Sequence, residues 1–176
     1  SHQKLLENSS PMGVYIGFDP TAESIHLGNY MGLVALTHFR RAGYNPIVLF
    51  GGATGLIGDP SGRSSERNLL TEEKVNSNIA FFKSQFEYLD NNLSLKLKHE
   101  LPPITYVNNY DFYKDMSAIT FLRDVGKHFR LGNMLAKESV KSRMASDDGI
   151  SFTEFSYQIF QGYDFYKLNQ LHECKL

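Results

Sequence analysis

The chain alternates between short apolar runs and longer segments with apolar residues at helical spacing. Three runs rich in β-branched and aromatic residues predict buried strands at residues 13–18, 46–51 and 104–108. Periodic apolar positions predict helices at 27–41, 71–89 and 116–125, within 127–144, and at 151–172. The strand–helix–strand order favours parallel pairing, so the pattern predicts an α/β fold. We expect a Gly-rich loop over 51–67 and a polar surface connection over 90–103.

Composition narrows the class of protein. The 176 residues are 41% hydrophobic, which suits one compact domain, and the net charge of −1 provides no overall basic field for nucleic acid. The single cysteine, Cys174, excludes an internal disulfide framework and a cysteine-rich zinc site, and it favours a reducing compartment. No apolar run approaches the ~18 residues of a membrane span, and no secretory or transit signal is visible, so we expect no membrane partner.

The last predicted helix carries an unusual set of polar side chains. Tyr157, Gln161 and Asp164 are spaced i, i+4 and i+7, which places a phenol, an amide and a carboxylate on one helical face among large apolar residues. That face should point into the protein, where polar groups need hydrogen-bond partners. These three groups therefore either satisfy each other or bind a ligand that offers donors.

A second candidate site lies where the first strand ends and the first helix begins. In an open α/β sheet, ligands bind outside the carboxyl ends of the strands, and a helix N-terminus there offers free N–H groups to phosphate. His26 and Asn29 can each donate a further hydrogen bond to phosphate oxygens. Gly28 has no side chain, so a flat ring could lie against the backbone. An ordinary helix start with a surface histidine is the alternative.

A third candidate site is the Gly-rich loop after the second strand. It lacks the Gly-Lys-Ser/Thr of a Walker loop, and it does not match the dinucleotide fingerprint. Asp59 could accept a hydrogen bond from an ammonium group, while Arg63 and Arg67 could reach phosphate charge. A flexible surface loop with solvated charges is the alternative.

Three segments together resemble one enzyme family. YIGFDPTAESIHLGN, GGATGLIGDPSGR and SFTEFSYQIFQGYDF follow one another as in tyrosyl-tRNA synthetases of the bacterial and organellar type, and the likeness runs from Tyr15 to the last residue. The resemblance implies a class I aminoacyl-tRNA synthetase with a Rossmann-like parallel sheet and flanking helices. Residues 1–176 would be part of its catalytic domain, with a helical dimer-forming insertion at about 104–150.

The family joins tyrosine to ATP, which gives tyrosyl-adenylate and pyrophosphate, and then transfers the tyrosyl group to tRNA. The implied partners are L-tyrosine, ATP, tRNA(Tyr) and a second copy of the chain, with Mg²⁺ accompanying the ATP phosphates. The family's KMSKS loop, the second half of its catalytic domain and its anticodon-reading domain are absent from these residues. We therefore expect a fragment that is inactive alone. The implied compartment is a bacterial cytoplasm or a mitochondrial or other organellar matrix.

Matching the motifs residue by residue implies the site residues. The sequence His26-Leu27-Gly28-Asn29 matches the family's HIGH signature, with Asn29 where many members have a second histidine. The residues implied to contact the departing phosphates are Thr21, His26, Asn29, Arg63 and Arg67. Those implied to bind ATP are Gly17, Asp19, His26, Gly28 and Asn29. The tyrosine ammonium group would be bound by Asp59, Tyr157 and Gln161. The phenolic hydroxyl would be bound by Tyr15 and Asp164. Asn109 would orient Asp164 without contacting the substrate.

The residues of the insertion predict two contact surfaces, one basic and one apolar. Its basic residues could contact the tRNA acceptor stem or form a solvated face: Arg123, Lys127, His128, Arg130, Lys137, Lys141 and Arg143. Its apolar residues are expected at a dimer interface rather than in the core: Phe129, Leu131, Met134, Leu135 and Phe152.

Three functional alternatives stay open beside tyrosine activation. They are the sister enzyme for tryptophan, a non-catalytic RNA-binding derivative of the intron-splicing type, and another nucleotidyltransferase. Tyr15 and Asp164 argue against the tryptophan enzyme, because indole has no hydroxyl.

Overall fold

The computed structural model describes residues 12–61, 69–97, 100–147 and 149–176. Its strands are β1 (Gly13–Phe18), β2 (Asn45–Phe50) and β3 (Thr105–Asn108). They form one parallel sheet in the order β1-β2-β3, with Gly13 opposite Asn45 and Ile47 opposite Thr105. The predicted α/β fold with a parallel sheet is confirmed.

Helices connect and cover the strands. They are α1 (Leu27–Arg41), α2 (Thr54–Ile57), α3 (Glu72–Leu97), α4 (Tyr110–Tyr113), α5 (Ala118–Thr120), α6 (Leu131–Leu135), α7 (Glu138–Met144) and α8 (Phe152–His172). A π-helical turn at Phe121–Val125 and a 3₁₀ turn at Gly126–His128 continue α5. The bounds of β1 and α1 are those predicted, and α8 begins after its capping residue Ser151, whose side chain accepts from the Glu154 N–H. The short helices α2 and α4 were not predicted.

The predicted surface connection over 90–103 is wrong in its first half. Residues 90–97 continue α3, although their Asn and Lys content is typical of a loop. Asp90 forms an ion pair with the buried guanidinium of Arg40 on α1. The Nε of Arg40 also donates to the carbonyl oxygen of Pro102 at 2.9 Å. These tertiary contacts stabilise helical turns that the local sequence alone does not favour.

Both faces of the sheet are buried, as expected for parallel strands with helical crossovers. Side chains alternate along β2, so neighbouring residues enter different cores. The core between the sheet, α1 and α3 contains Val14, Phe18, Leu33, Leu36, Val48, Phe50, Phe82 and Phe86. The core on the opposite face contains Ile47, Leu49, Leu168 and Cys174. Helices close both faces, so the carboxyl-terminal edge of the sheet is where polar residues emerge.

The segment after β3 packs on α8 and builds a third core. Met134 is buried there with Val125 and Ile159, so its predicted place at an interface is wrong. Phe129 is half-buried and lies so close to Gly162 that a Cβ added at this glycine would be 2.7 Å from the ring. Leu131, Leu135 and Phe152 are exposed, with Leu131 at 65% and Phe152 at 74%.

One predicted RNA-contacting residue is part of the core. Arg143 is buried and pairs with buried Glu154 at 2.8 Å, so its charge is not available to a nucleic acid. The other basic residues of that set are exposed: Arg123, Lys127, His128, Arg130, Lys137 and Lys141. Among the helices that the structure describes, none is long and apolar enough to cross a membrane.

Candidate active site

A polar cavity of about 350 Å³ opens at the carboxyl-terminal edge of the sheet, between the ends of β1 and β2 and the buried face of α8. A volume of this size suits a small-molecule ligand. The predicted site residues that line it are Tyr15, Gly17, Asp19, Thr21, His26, Asp59, Asn109, Tyr157, Gln161 and Asp164. Residues from four distant parts of the sequence thus meet around one volume.

Gly28 and Asn29 do not line this cavity, because they lie in the first turn of α1. The Asn29 side chain accepts from the His26 N–H at 3.0 Å, and the His26 Nδ1 accepts from the Asn29 N–H at 3.3 Å. This reciprocal capping box fixes the helix start. Gly28 makes room for it, because a Cβ there would lie 2.9 Å from Cε1 of His26. Arg63 and Arg67 fall outside the described residues.

The capping box also determines which groups remain as donors. Because Nδ1 of His26 accepts a backbone hydrogen bond, a neutral imidazole carries its proton on Nε2. The Oδ1 of Asn29 is likewise an acceptor in this box, which leaves its NH₂ group as a donor. The start of α1 therefore presents hydrogen-bond donors and the positive end of a helix dipole beside the cavity entrance.

Asp164 forms the deep end of the cavity. Its side chain is buried, with 3% exposed. Asn109 Nδ2 donates to Oδ2 of Asp164 at 2.9 Å, and the Tyr113 hydroxyl donates to Oδ1 at 2.6 Å. Burial raises the pKa of Asp164 to about 6, although both hydrogen bonds favour the carboxylate. The deep end thus holds a carboxylate bonded by neutral donors.

A continuous hydrogen-bond network supports this carboxylate. The fully buried Asn109 accepts from the Ala53 N–H at 2.7 Å and donates to Thr54 Oγ1 at 3.1 Å. The Thr54 hydroxyl donates to Oδ1 of Asp19 at 2.6 Å, and the Tyr157 hydroxyl donates to Oδ2 of Asp19 at 2.9 Å. Tyr157 and Asp164 on α8 are therefore joined through side chains of other elements. The prediction that Gln161 shares their buried face is wrong, because Gln161 is exposed.

Gly51 permits the close approach of Asp19 to Thr54. A Cβ at Gly51 would lie 1.9 Å from Oδ1 of Asp19 and 2.4 Å from Oγ1 of Thr54. The function of the Gly-rich loop at this point is to let two polar side chains meet against the backbone.

Thr54 and Tyr113 are site residues that sequence reasoning missed. Thr54 lies within the Gly-rich segment, whose composition predicts a loop and gives no separate signal for this threonine. Tyr113 follows Asn109 by four residues, the spacing of one helical turn, and this is the signal that could have found it.

The charge distribution in the cavity is uneven. Burial, followed by the negative charges of Asp19 and Asp59, raises the pKa of the Tyr157 hydroxyl. Burial and the charge of Asp164 do the same for Tyr15. Asp59 accepts from the Ser61 N–H through Oδ1, so its second oxygen remains an acceptor site. The interior therefore suits a ligand with an ammonium group and a hydroxyl, and the entrance suits an anion.

Comparison with known proteins identifies the family. The family model for class I tRNA synthetases of the tryptophan and tyrosine type matches residues 7–174. The chain belongs to this family. The predicted resemblance to tyrosyl-tRNA synthetases is confirmed by its relatives. A tyrosine–tRNA ligase of Rhodopirellula baltica is 49% identical over 97% of this chain and 38% of its own length. The mitochondrial tyrosine–tRNA ligase of Drosophila melanogaster is also 49% identical over the same shares.

A solved structure shows the same fold. The C-terminally truncated mitochondrial tyrosyl-tRNA synthetase of Aspergillus nidulans has a TM-score of 0.82 and 32% identity over 93% of this chain and 47% of that one. The chain spans 38% of the length of the curated relatives named above.

Proposed function

We propose that the whole protein is a tyrosine–tRNA ligase and that the cavity binds tyrosine and the reacting part of ATP. The observation that carries this proposal is the pair of Tyr15 and Asp164 at the deep end of the cavity, next to further carboxylates. The class I family and the tyrosine–tRNA ligases among its relatives support the same conclusion.

The deep end would read the phenolic hydroxyl of tyrosine. Asp164 would accept a hydrogen bond from this hydroxyl, and the Tyr15 hydroxyl would supply a second hydrogen-bond partner. Phenylalanine would leave the Tyr15 hydroxyl and the remaining acceptor position of Asp164 without this partner, and an unpaired buried group costs about 1–3 kcal/mol. Selectivity therefore comes from polar groups that only a hydroxylated ring can satisfy.

The tyrosine ammonium group would lie among Asp59, Tyr157 and Gln161. Asp59 and the nearby Asp19 give this part of the cavity the negative potential that a cation needs. Gln161 lines the cavity from an exposed position on α8, so its amide can turn toward a ligand.

The ATP phosphates would lie at the start of α1. There Nε2–H of His26, the Thr21 hydroxyl and the Asn29 amide donate to phosphate oxygens, while Gly17, Asp19 and Gly28 border the adenosine. Arg63 and Arg67 would add positive charge from the loop that contains them. Mg²⁺ would enter with ATP as part of the substrate; among the described residues, no cluster of three or more potential metal ligands is present.

In the proposed reaction, a carboxylate oxygen of tyrosine attacks the α-phosphorus of ATP. The new P–O bond forms as the bond to the β-phosphate bridging oxygen breaks, and pyrophosphate leaves with that electron pair. The protein contributes position and charge stabilisation rather than covalent chemistry. The tyrosyl group then passes from the adenylate to a hydroxyl group of tRNA(Tyr), and AMP leaves.

Residues 104–150 would form the dimer interface. Leu131, Leu135 and Phe152 are exposed apolar side chains on neighbouring parts of this region and α8, and a second copy of the chain would cover them. The exposed basic residues of the same region would lie near the tRNA acceptor stem. Bacterial and mitochondrial relatives support a bacterial cytoplasm or a mitochondrial matrix as the compartment.

Amino-acid-dependent pyrophosphate exchange by the full-length protein tests the proposal. We expect exchange with tyrosine and much slower exchange with tryptophan and phenylalanine. Exchange with tryptophan instead would assign the sister activity. RNA binding without exchange for any amino acid would show a non-catalytic derivative.

A further inference from the structure

Tyr113 contacts the deep end of the site from behind the cavity wall. It is the last residue of α4, one helical turn after Asn109, and it does not line the cavity. Its hydroxyl lies 2.6 Å from Oδ1 of Asp164 and 2.9 Å from the carbonyl oxygen of Phe160. The neighbouring rings pack by apolar contact, so Asp164 and the Phe160 carbonyl are the hydrogen-bond partners described for this hydroxyl.

We infer that Tyr113 is a positioning residue for tyrosine selectivity, which acts by holding the Asp164 carboxylate in the orientation that accepts the substrate hydroxyl. This inference builds on the proposed function and adds to it a residue that contacts neither substrate.

The first support is the geometry of the two donors. Asn109 binds Oδ2 of Asp164 and Tyr113 binds Oδ1, so each carboxylate oxygen has one protein donor. A carboxylate oxygen can accept a second hydrogen bond, which leaves room for the ligand. Two donors on different oxygens fix the rotation of the carboxylate plane, and one donor alone would not.

The second support is the rigidity of the Tyr113 side chain. Its ring packs against four other rings, with centroid distances of 4.9 Å to Phe160, 5.5 Å to Tyr163, 6.0 Å to Phe121 and 6.3 Å to Phe112. Aromatic contacts at these distances restrict the ring to one position. The hydroxyl is therefore already in place before a ligand binds.

The third support is the charge state of Asp164. Its carboxylate faces the carboxylate of Asp19 and the hydroxyls of Tyr113, Tyr15 and Tyr157. Burial disfavours its ionised form, and the hydrogen bond from Tyr113 is the largest effect that opposes burial. Burial and the nearby Asp164 raise the pKa of Tyr113 itself, so its hydroxyl stays protonated and continues to donate.

The test is Tyr113→Phe in the full-length protein, with Tyr163→Phe as the matched control. Tyr163 belongs to the same ring cluster, and among the described hydrogen bonds none joins it to Asp164. In pyrophosphate exchange we expect Tyr113→Phe to raise the KM for tyrosine on the order of tenfold. The KM for ATP should stay unchanged in both variants.

A pH profile separates positioning from a merely structural role. The affinity for tyrosine should fall as Asp164 becomes protonated, near pH 6 in the wild type, and this midpoint should move to higher pH in Tyr113→Phe only. Calorimetric titration of each protein with tyrosine between pH 5 and pH 8 measures this midpoint. Wild-type KM and an unmoved midpoint in Tyr113→Phe would overturn this inference alone. A wild type that neither binds tyrosine nor exchanges pyrophosphate would overturn the proposed function and the inference with it.

Discussion

Helix α8 carries two buried acids that the protein treats differently. Glu154 and Asp164 are 2% and 3% exposed, yet Glu154 pairs with the guanidinium of Arg143, whereas Asp164 is bonded only by the neutral groups of Asn109 and Tyr113. Within the described part of the chain no ion pair includes Asp164. Glu154, which connects α8 to α7, has a charged partner. Asp164, which lines the cavity, has only neutral partners among the described residues and can still accept a hydrogen bond from a ligand.

The largest expected effect is on stability and comes from removal of the Arg143–Glu154 ion pair. Arg143→Met leaves Glu154 as a buried charge without its partner, which should lower the free energy of unfolding by about 3–5 kcal/mol. Urea denaturation followed by circular dichroism measures the change. The double variant Arg143→Met with Glu154→Leu is the control and should recover most of the loss. A single variant as stable as the wild type would show that the pair does not hold α7 to α8.

A second prediction concerns the free energy of unfolding, which the buried Asp164 carboxylate should lower because the described residues give it no cationic partner. Its pKa is about 6 in the folded protein and 3.8 in its ordinary state, so the folded state binds the proton more tightly. The free energy of unfolding should therefore fall as pH rises from about 4 to about 6, by up to about 3 kcal/mol.

Asp164→Asn should remove this pH dependence. The variant should be more stable than the wild type at pH 8 and gain little at pH 4, where the wild-type acid is already protonated. Urea denaturation at both pH values measures the difference. Parallel stability profiles for the two proteins would mean that burial of this carboxylate carries no free-energy cost.

The smallest expected effect comes from substitution of Asn29 and tests the role of the cavity entrance. Asn29→Ala removes one half of the capping box of α1 and should cost ~1 kcal/mol of stability. Asn29→Asp keeps an acceptor for the His26 N–H but replaces the amide donor with a negative charge. It should preserve stability and raise the KM for ATP. An unchanged KM for ATP in Asn29→Asp would separate this residue from phosphate binding.

Apolar periodicity and capping residues predict those strands and helices whose bounds depend on nearby residues. The bounds of β1 and α1 follow from their apolar periodicity and from the His26–Asn29 start. Residues 90–97 are different, because their helix depends on the distant Arg40. A sequence pattern contains no information about that partner, so it predicts a loop there.

The candidate site likewise contains residues that local spacing predicts and residues that only distant contacts reveal. The spacing of Tyr157, Gln161 and Asp164 places them on one face without knowledge of the rest of the chain. Two donors of the site come from other elements: Tyr113 donates to Asp164 on this face, and Thr54 donates to Asp19. Their roles are visible only when the sheet brings the ends of β2 and β3 together. The burial of Arg143 depends in the same way on a contact that composition cannot reveal.

The central claim is that Asp164 reads the ring hydroxyl of tyrosine. The most direct measurement compares kcat/KM for tyrosine and for phenylalanine in pyrophosphate exchange by the full-length protein and by its Asp164→Asn variant. We expect the variant to lose about 10–100-fold for tyrosine and little for phenylalanine, because only tyrosine offers the hydroxyl that the carboxylate accepts. An equal loss for both amino acids, or an unchanged preference for tyrosine, would contradict the assignment.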